Sequence, residues 1–595
     1  MKRLYMAQVN NRYGENVYFP YSCGLLWAYA RTFPEVQQVF DFRGFLYLKE
    51  AISKAIEKLI EPDLVCFSCY VWNWEWNKAL ATEIKKRWPA CSIIIGGPSV
   101  WDNSAKTLMD NDWVDFAVYG EGEGSFADFL LEHAKPVPDY AKVGSLIWRS
   151  DKVEVNQRRP FVELDKLRSP YLDGVFDDLI PLETRWQVLQ ETNRGCPFRC
   201  SFCEWGQLTL SKVRAFPLER VQAELDWFGR FGVDYLDNAD ANYGILKRDL
   251  ELTKLLVATK EKYQHPKTFR TSFTKNSNET IWEMANILHA AGMLKAVTLA
   301  MQSMHEPTLE VIHRKNIKFD HFSSLIERYE AVGIPTYTEL IMGLPGESLQ
   351  TYLAGIEKNL EAGQHSGLFC YINLMLPNTE QVSLEYSAKH GLVSWKMQAM
   401  LSHGTPEPDT IRETQDVIIE TATMPHKDWK YAWLFSKVFE VFHAQGLLQA
   451  IAVECHSAGL SYVSLYRDLI GWLESNPETV AGQEFADLKK LLDRVLAGGL
   501  WDCVDARLGT ISWPPEEFAY ARICCQLERF WSEIQAWLDF LPCSAATVEE
   551  CIAGVRGPDP GQEGVWARDI VWYGRKGYGA KLRKSARLER VTIGD

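Results

Sequence analysis

The sequence specifies an α/β protein in three parts: a doubly wound parallel sheet, a partial (β/α)6 barrel and a mostly helical C-terminal domain. Three observations point there. Residues 1–150 and 186–385 each alternate short branched-apolar runs with helical patterns, as parallel strands joined by helices require. A proline-punctuated connector, residues 151–185, lies between them. Residues 386–595 keep the helical periodicity and lose the alternation.

In the first part, strands are expected at 3–9, 36–40, 64–68, 92–95 and 115–119. Helical patterns at 24–31, 46–59, 75–88, 104–109 and 123–133 separate them. Such sheets bind ligands outside the carboxyl ends of their strands. The loops there are residues 10–22, Cys69-Tyr70-Val71-Trp72-Asn73-Trp74, Gly96-Gly97-Pro98-Ser99 and Tyr119-Gly120-Glu121-Gly122-Glu123. Their glycines let a backbone approach a ligand closely. A nucleotide or another flat cofactor suits such loops. Residues 143–148 add a possible strand, and Pro160, Pro170 and Pro181 punctuate the connector.

In the second part, residues 186–192 read as a strand and 217–231 as a helix with proline at its start. Strands follow at 235–239, 268–272, 296–300, 335–341 and 368–373, each with a helical stretch behind it. Six strands make a partial parallel barrel, whose working groups belong at the carboxyl ends. In the third part, helices are expected at 429–443, 462–473, 486–497 and 515–540.

Composition narrows the function. At 595 residues the chain has room for about four domains. A formal charge of −14 argues against a general polyanion binder. The basic tail between Arg575 and Arg590 reads as a solvated end. No apolar run reaches about twenty residues and no signal-peptide pattern follows Met1-Lys2-Arg3, so a soluble cytoplasmic protein is expected. Fourteen cysteines fit a reducing compartment. The Cys66/Cys69 pair reads as packing rather than redox chemistry. The twenty-two tryptophans either line a cavity for a flat ligand or fill a large core.

The chemistry concentrates in Arg194-Gly195-Cys196-Pro197-Phe198-Arg199-Cys200-Ser201-Phe202-Cys203. Three thiolates in a C-x3-C-x2-C loop select zinc or an iron–sulfur cluster. A structural zinc site needs a fourth ligand, and the next cysteine is Cys370. A cubane on three cysteines keeps one iron open. The barrel ends then supply polar candidates. Asp237 to Gly244 is a run rich in Asp and Asn, holding Asp240 and Asn242; it either meets a ligand or satisfies itself as a turn. Arg270 and Ser272 end the third strand. Gln302-Ser303 end the fourth, followed by Leu309, Ile312 and Arg314, the last of which could equally pair with a carboxylate. The fifth ends in Glu339 to Glu347, with Gly343-Leu344-Pro345-Gly346-Glu347 as its turn. Glu339 is a charge inside an apolar strand and needs a partner; it is the one catalytic candidate.

At the cysteine loop and the Gly-Leu-Pro-Gly-Glu turn the chain resembles the radical S-adenosylmethionine (SAM) superfamily. The order of its parts resembles that superfamily's cobalamin-dependent branch, in which the Gly-Gly-Pro and Gly-Glu-Gly-Glu turns recur. The resemblance implies a Rossmann-like cobalamin-binding domain and a TIM-type radical SAM barrel. It implies a [4Fe–4S] cluster on Cys196, Cys200 and Cys203. It implies SAM against Phe202, Asp240, Asn242, Arg270, Ser272, Gln302, Ser303, Arg314, Glu339, Gly343 and Leu344. It implies cobalamin against Tyr70, Val71, Trp72, Asn73, Gly96, Gly97, Pro98, Ser99, Tyr119, Gly120, Glu121, Gly122 and Glu123. The chain departs from the better-known cobalamin carriers, whose D-x-H-x-x-G histidine ligates cobalt. It has no histidine before His133, so Tyr70, Val71 or Trp72 is left to cover the lower face of the corrin.

The activity so implied is methyl transfer from SAM, by way of methylcobalamin, to an unactivated carbon of a small molecule or peptide. A 5′-deoxyadenosyl radical would open the C–H bond; a phosphorus acceptor and a polar route are variants. Two alternatives stand beside it: a rearrangement, cyclisation or oxidation with the same cofactors, and a non-catalytic cobalamin or iron–sulfur sensor. The implied partners are the substrate and an external electron donor of the flavodoxin or ferredoxin type, with no nucleic acid and no membrane.

Overall fold

The computed structural model describes residues 1–13, 16–180, 184–209, 211–275, 278–365, 367–406, 409–555, 581–582 and 588–589. Pro181 and most of the basic tail lie outside these residues.

Strand β1 (Lys2–Asn10) opens the chain, and the short β2 (Asn16–Tyr18) leaves at once for a different sheet. The first sheet continues with β3 (Phe40–Leu48), β4 (Leu64–Ser68), β5 (Ser92–Gly96), β6 (Phe116–Val118), β7 (Leu146–Arg149) and β8 (Val153–Val155). Its order is β3-β1-β4-β5-β6-β7-β8; the first five run parallel and the last two antiparallel. β4 is buried at every position, as a strand covered on both faces must be. Leu4, Met6, Cys66 and Ile94 meet Leu25 and Ala28 of the helix Tyr21–Ala30 and Phe126, Phe129 and Leu130 of the helix Gly122–His133. Val65, Phe67, Ile93 and Ile95 meet Trp76, Leu80 and Ile84 of the helix Trp74–Arg87 on the other face.

One expectation in this sheet needs correction. Residues 34–39 are helix, and the strand runs from Phe40 to Leu48, where a helix was expected from 46. Pro34 fits the first turn of a helix, and β1 pairs along the whole of Phe40–Leu48.

The second part contains β9 (Arg185–Gln190), the short antiparallel pair β10 (Asn193–Arg194) and β11 (Arg214–Ala215), then β12 (Tyr235–Asn238), β13 (Thr268–Arg270), β14 (Val297–Thr298), β15 (Thr336–Met342) and β16 (Leu368–Ile372). Six of these form two parallel sheets, β13-β12-β9 and β14-β15-β16. Among the described residues no ladder joins β13 to β14, so the barrel is open. β2 adds a strand beside β9, parallel to it. The loop after β1 is therefore part of the barrel wall. The two parts also share one core: Phe176 of the connector packs so closely on Gly24 that a Cβ there would overlap its ring.

The third part opens with an antiparallel ribbon that the sequence reading missed, β17 (Val393–Gln398) and β18 (Thr414–Glu420). Helices follow at His426–Phe439, Gln449–Ser457, Tyr462–Ser475, Val480–Leu496, Pro515–Cys524, Leu527–Leu538 and Ala545–Gly554. The expected helix 515–540 is two helices. Trp429, Trp433, Trp501, Trp513, Trp531 and Trp537 are buried here, so these tryptophans fill a core.

Candidate active site

The cysteine loop follows β9 at its carboxyl end. Gly195 has φ +112, and a Cβ there would run into the carbonyl of Lys212. Cys196 and Cys200 are buried and Cys203 half-buried. Hydrogen-bond donors face the sulfurs. Asn242 Nδ2 stands 3.3 Å from Cys196 Sγ, and Lys275 Nζ 3.1 Å from Cys200 Sγ. Arg314 lies against Cys200, Cys203 and Glu339. Among the described residues no three His, Cys, Asp or Glu side chains converge as one metal ion needs. The thiolates of a cubane each bind a different iron and need not meet at a point. Anionic sulfur ringed by N–H donors is the second shell such a cluster uses, so these residues fit it.

The run after β12 divides its labour. Asp240 accepts from Thr192 N (2.8 Å), Asn193 N (3.1 Å), Asn193 Nδ2 (2.8 Å) and the Thr192 hydroxyl. Its carboxylate is used up holding the start of the cysteine loop. The carboxylate is satisfied within the fold, the second of the two readings of this run; Asn242 is the residue there whose side chain reaches Cys196 Sγ. Burial pushes the Asp240 carboxyl up to about 6. Ser272 is exposed, with its carbonyl bound by Tyr243 N.

Three distant motifs converge beside the loop. Phe202 packs with Leu309, Ile312 and Leu344 in one small apolar cluster. Ser201 N donates to Ile312 O (3.0 Å), and Tyr386 Oη donates to Val311 O (3.0 Å) and pairs with Ser201 Oγ (2.9 Å). Gln302 sits at φ +64 and bridges to β15: its N donates to Glu339 O (2.7 Å) and its O accepts from Ile341 N (2.8 Å). Gln302 Nε2 lies 3.5 Å from Glu339 Oε2. Burial pushes the Glu339 carboxyl up, while Gln302 and Arg314 pull it down. Arg314 donates to Asn316 Oδ1 (2.8 Å) and the Ala300 carbonyl. Ser303 Oγ donates to buried Glu347 Oε1 at 2.5 Å. Gly343 (φ +84) turns the chain after β15, and its carbonyl accepts from Asn373 Nδ2 (3.1 Å).

The carboxyl edge of the first sheet faces this assembly. Tyr70 and Trp72 stack at 4.3 Å, and Trp72 stays 43% exposed. Trp72 Nε1 donates to Asn10 Oδ1 (3.0 Å), and Tyr70 Oη pairs with Ser22 Oγ (2.9 Å). An open aromatic face on that edge fits a flat corrin ring. Val71 is half-buried between them. Asn73 is fully buried and ties the loop to Val9 O and Ser68 O. Gly97 (φ +105) packs on this loop; a Cβ there would stand 2.7 Å from Cys69 O. Ser99 N donates back to Cys69 O (3.1 Å).

Three residues expected at the corrin have other work. Tyr119 is fully buried, its hydroxyl on Asn156 O (2.7 Å), so it is core. Glu121 and Glu123 pair with Arg194 at 3.4 and 2.8 Å, and Glu121 also with Arg214. Glu191 is the third carboxylate on Arg194 (2.8 Å). The Gly120–Gly122 turn thus pins the first sheet to the cysteine loop. Residues whose roles single-sequence reading could not weigh complete the joint. Asn378 Nδ2 donates to Pro98 O (2.7 Å) and Val100 O (3.0 Å), its Oδ1 accepts from Asp102 N (2.8 Å), and its N donates to Glu204 Oε1 (3.3 Å). Asn378 lies past the last barrel strand, where polar residues are common, and carried no signal. Arg194 was legible only as a charge beside the cysteines, and Lys275, far along the chain, carried no signal.

Family models match on both sides of this joint. The B12 binding domain matches residues 29–130 and the radical SAM superfamily residues 191–358. Along the whole chain the sequence is 31% identical to the cobalamin-dependent radical SAM methyltransferase TokK of Streptomyces tokunonensis, covering 100% of this chain and 90% of that one. The chain belongs to the cobalamin-dependent radical SAM methyltransferases. Membership brings cobalamin, SAM and a [4Fe–4S] cluster as cofactors. The 2-(S-pantetheinyl)-carbapenam-3-carboxylate methyltransferase of Streptantibioticus cattleyicolor is 33% identical over 88% of this chain and 81% of its own. Two solved structures share the fold: TsrM from Kitasatospora setae (TM-score 0.53, 15% identity, 73% of this chain and 88% of that one) and OxsB (TM-score 0.54, 14% identity, 93% and 84%). Among the described residues no helix is long and apolar enough to cross a membrane.

Proposed function

We propose that this methyltransferase acts on a carbon of a small molecule bearing a carboxylate, of the carbapenam kind for which the Streptantibioticus relative is named. Arg270 carries the reading. It sits at the carboxyl end of β13, and its side chain is 65% exposed although tethered by Asp237 Oδ2 (2.9 Å) and Tyr18 Oη (3.1 Å). An oriented guanidinium with free donors suits a carboxylate. Tyr337, Phe369 and Tyr371 lie along β15 and β16, with Tyr371 50% exposed, and offer an apolar wall.

When bound, the cofactors supply the methyl group and the radical that opens the C–H bond. The chain's own residues position them. Cys196, Cys200 and Cys203 hold the cluster, with Asn242, Lys275 and Arg314 donating to the sulfurs. Phe202, Gln302, Ser303, Glu339, Gly343 and Leu344 frame SAM, and Tyr70, Val71 and Trp72 with the Gly96–Ser99 turn take the corrin. Pro197 and Arg199 of the cysteine loop are exposed, which gives a flavodoxin- or ferredoxin-type donor a short path to the cluster. Fourteen cysteines, three of them in the cluster loop that needs reduced thiols, support a cytoplasmic setting.

The test is steady-state methylation of 2-(S-pantetheinyl)-carbapenam-3-carboxylate by wild type and Arg270→Gln. Loss of a charge-assisted bond predicts kcat/KM lower by about 30-fold or more, with substrate-free S-adenosylhomocysteine formation unchanged. An Arg270→Gln enzyme with wild-type kcat/KM would remove the carboxylate reading.

A further inference from the structure

The C-terminal part reaches back into the corrin edge through one side chain. Glu413 immediately precedes β18 and is buried, 5% exposed. Its Oε2 accepts from Glu75 N (2.7 Å) and its Oε1 from Trp76 N (3.1 Å), across 338 and 337 residues of chain. These are free N–H groups of the first turn of the helix Trp74–Arg87, where Asn73 makes no capping bond. Asn73 instead spends its Oδ1 on Tyr70 N (2.8 Å) and Asn77 Nδ2 (3.2 Å). Lys49 completes the arrangement: its Nζ donates to Glu413 Oε1 (2.6 Å) and Trp72 O (3.3 Å), and both charged side chains are 4% exposed. Thr414 Oγ1 adds a bond to Glu75 Oε1 (3.2 Å).

We infer that Glu413 is a positioning residue for the corrin: it caps the helix that follows Tyr70–Trp72 and, through Lys49, fixes the Trp72 carbonyl, so the C-terminal part sets the lower face of the cobalamin site. This rests on the reading that Tyr70–Trp72 faces the corrin. A carboxylate at a helix N-terminus is stabilised by the dipole and by the N–H groups it accepts from. Its partner Lys49 has no exposed surface to retreat to, so the pair holds as a unit. Binding of the corrin and docking of the ribbon are therefore linked, each favouring the other.

The experiment uses full-length, cluster-loaded wild type, Glu413→Gln, Glu413→Asp and Trp72→Ala. Each is titrated with hydroxocobalamin, and the spectrum of the bound cofactor is recorded after one-electron reduction. Glu413→Gln is expected to bind about tenfold more weakly or worse, with iron content kept, a spectral shift like that of Trp72→Ala, and partial rescue by Glu413→Asp. Unchanged affinity and spectrum in Glu413→Gln, with both altered in Trp72→Ala, would overturn the inference and leave the corrin reading standing. No change in either variant would overturn the corrin reading itself. Iron lost in step with cobalamin would be general damage and count against the inference. If Glu413→Gln does not fold, hydrogen exchange of the wild type decides: the Glu75 and Trp76 amides should slow when hydroxocobalamin binds, and unaltered rates overturn the inference.

Discussion

Glu347 is a carboxyl held neutral by its surroundings. It is 1% exposed, its side chain accepts from the Ser303 hydroxyl, and burial pushes it from 4.5 up to about 8. The folded state therefore keeps a proton that the unfolded chain gives up above about 4.5. Stability contributed at this position should fall as pH rises from there to about 8 and then level off. Each unit of pKa shift is worth about 1.4 kcal/mol. Glu347→Gln copies the neutral acid, so its melting temperature relative to wild type should rise as pH climbs from about 4.5 to about 8 and stay level above that. A constant difference across that range would contradict the protonated state. Arg194 is the opposite case, a buried cation with carboxylates on Glu121, Glu123 and Glu191. Arg194→Met takes the cation from Glu123 and Glu191 and leaves Glu121 with Arg214 alone, at a cost of about 3–5 kcal/mol. It should lower the denaturant midpoint and loosen cobalamin and cluster together; loss of either alone would contradict its role as a joint. Residues whose own chemistry suits a cofactor were legible from sequence: the spacing of the three cysteines needed no fold. Residues whose role depends on what comes from elsewhere were not. Asp240 and Glu123 are the same residue types as a ligand-binding carboxylate, and only their partners Thr192 and Arg194 tell them apart.

At the scale of the element, the turns of the first sheet are built for each other. Gly97 has φ +105 and no room on the side of Cys69, whereas a Cβ on Gly96 would stand 3.7 Å from Val118 O. Gly97→Ala should cost about 2 kcal/mol or more and weaken cobalamin binding by displacing the Tyr70–Trp72 loop, while Gly96→Ala should cost less stability and weaken binding less. Equal effects of the two would show that the turn does not act through that loop. Regular elements were legible where burial on two faces fixes the pattern: β4 and β5 fall where their apolar runs predict. β3 was not, because Val36 belongs to a helix and is as apolar as a strand residue. β2 has three residues and takes its identity from pairing with β9, far along the chain. β17 is half-exposed and offers no apolar run to read, and the Val417–Ile419 run of β18 is only three residues long.

The whole molecule is less divisible than its sequence. Two alternating stretches and a helical one suggest separate bodies, yet β2 crosses into the barrel, the Glu121–Arg194 joint ties the first sheet to the cysteine loop, and Glu413 ties the C-terminal ribbon to the first sheet. A reaction that needs cluster, SAM, corrin and substrate in one line gains from such interlocking, since misplacement of one group lowers the rate steeply. The fold class could be read from strand alternation and the cofactors from the motifs' resemblance to a family; the interlocking could not, because it depends on contacts 73 to 338 residues apart. The measurement that tests the account most directly is made without substrate. Chain purified anaerobically and supplied with iron, sulfide, hydroxocobalamin, SAM and a strong reductant is assayed by mass spectrometry for methylcobalamin, S-adenosylhomocysteine and 5′-deoxyadenosine. A methyltransferase predicts methylcobalamin and S-adenosylhomocysteine in equal amounts, both lost when cobalamin is left out. 5′-Deoxyadenosine with bound cobalamin and no S-adenosylhomocysteine would contradict it.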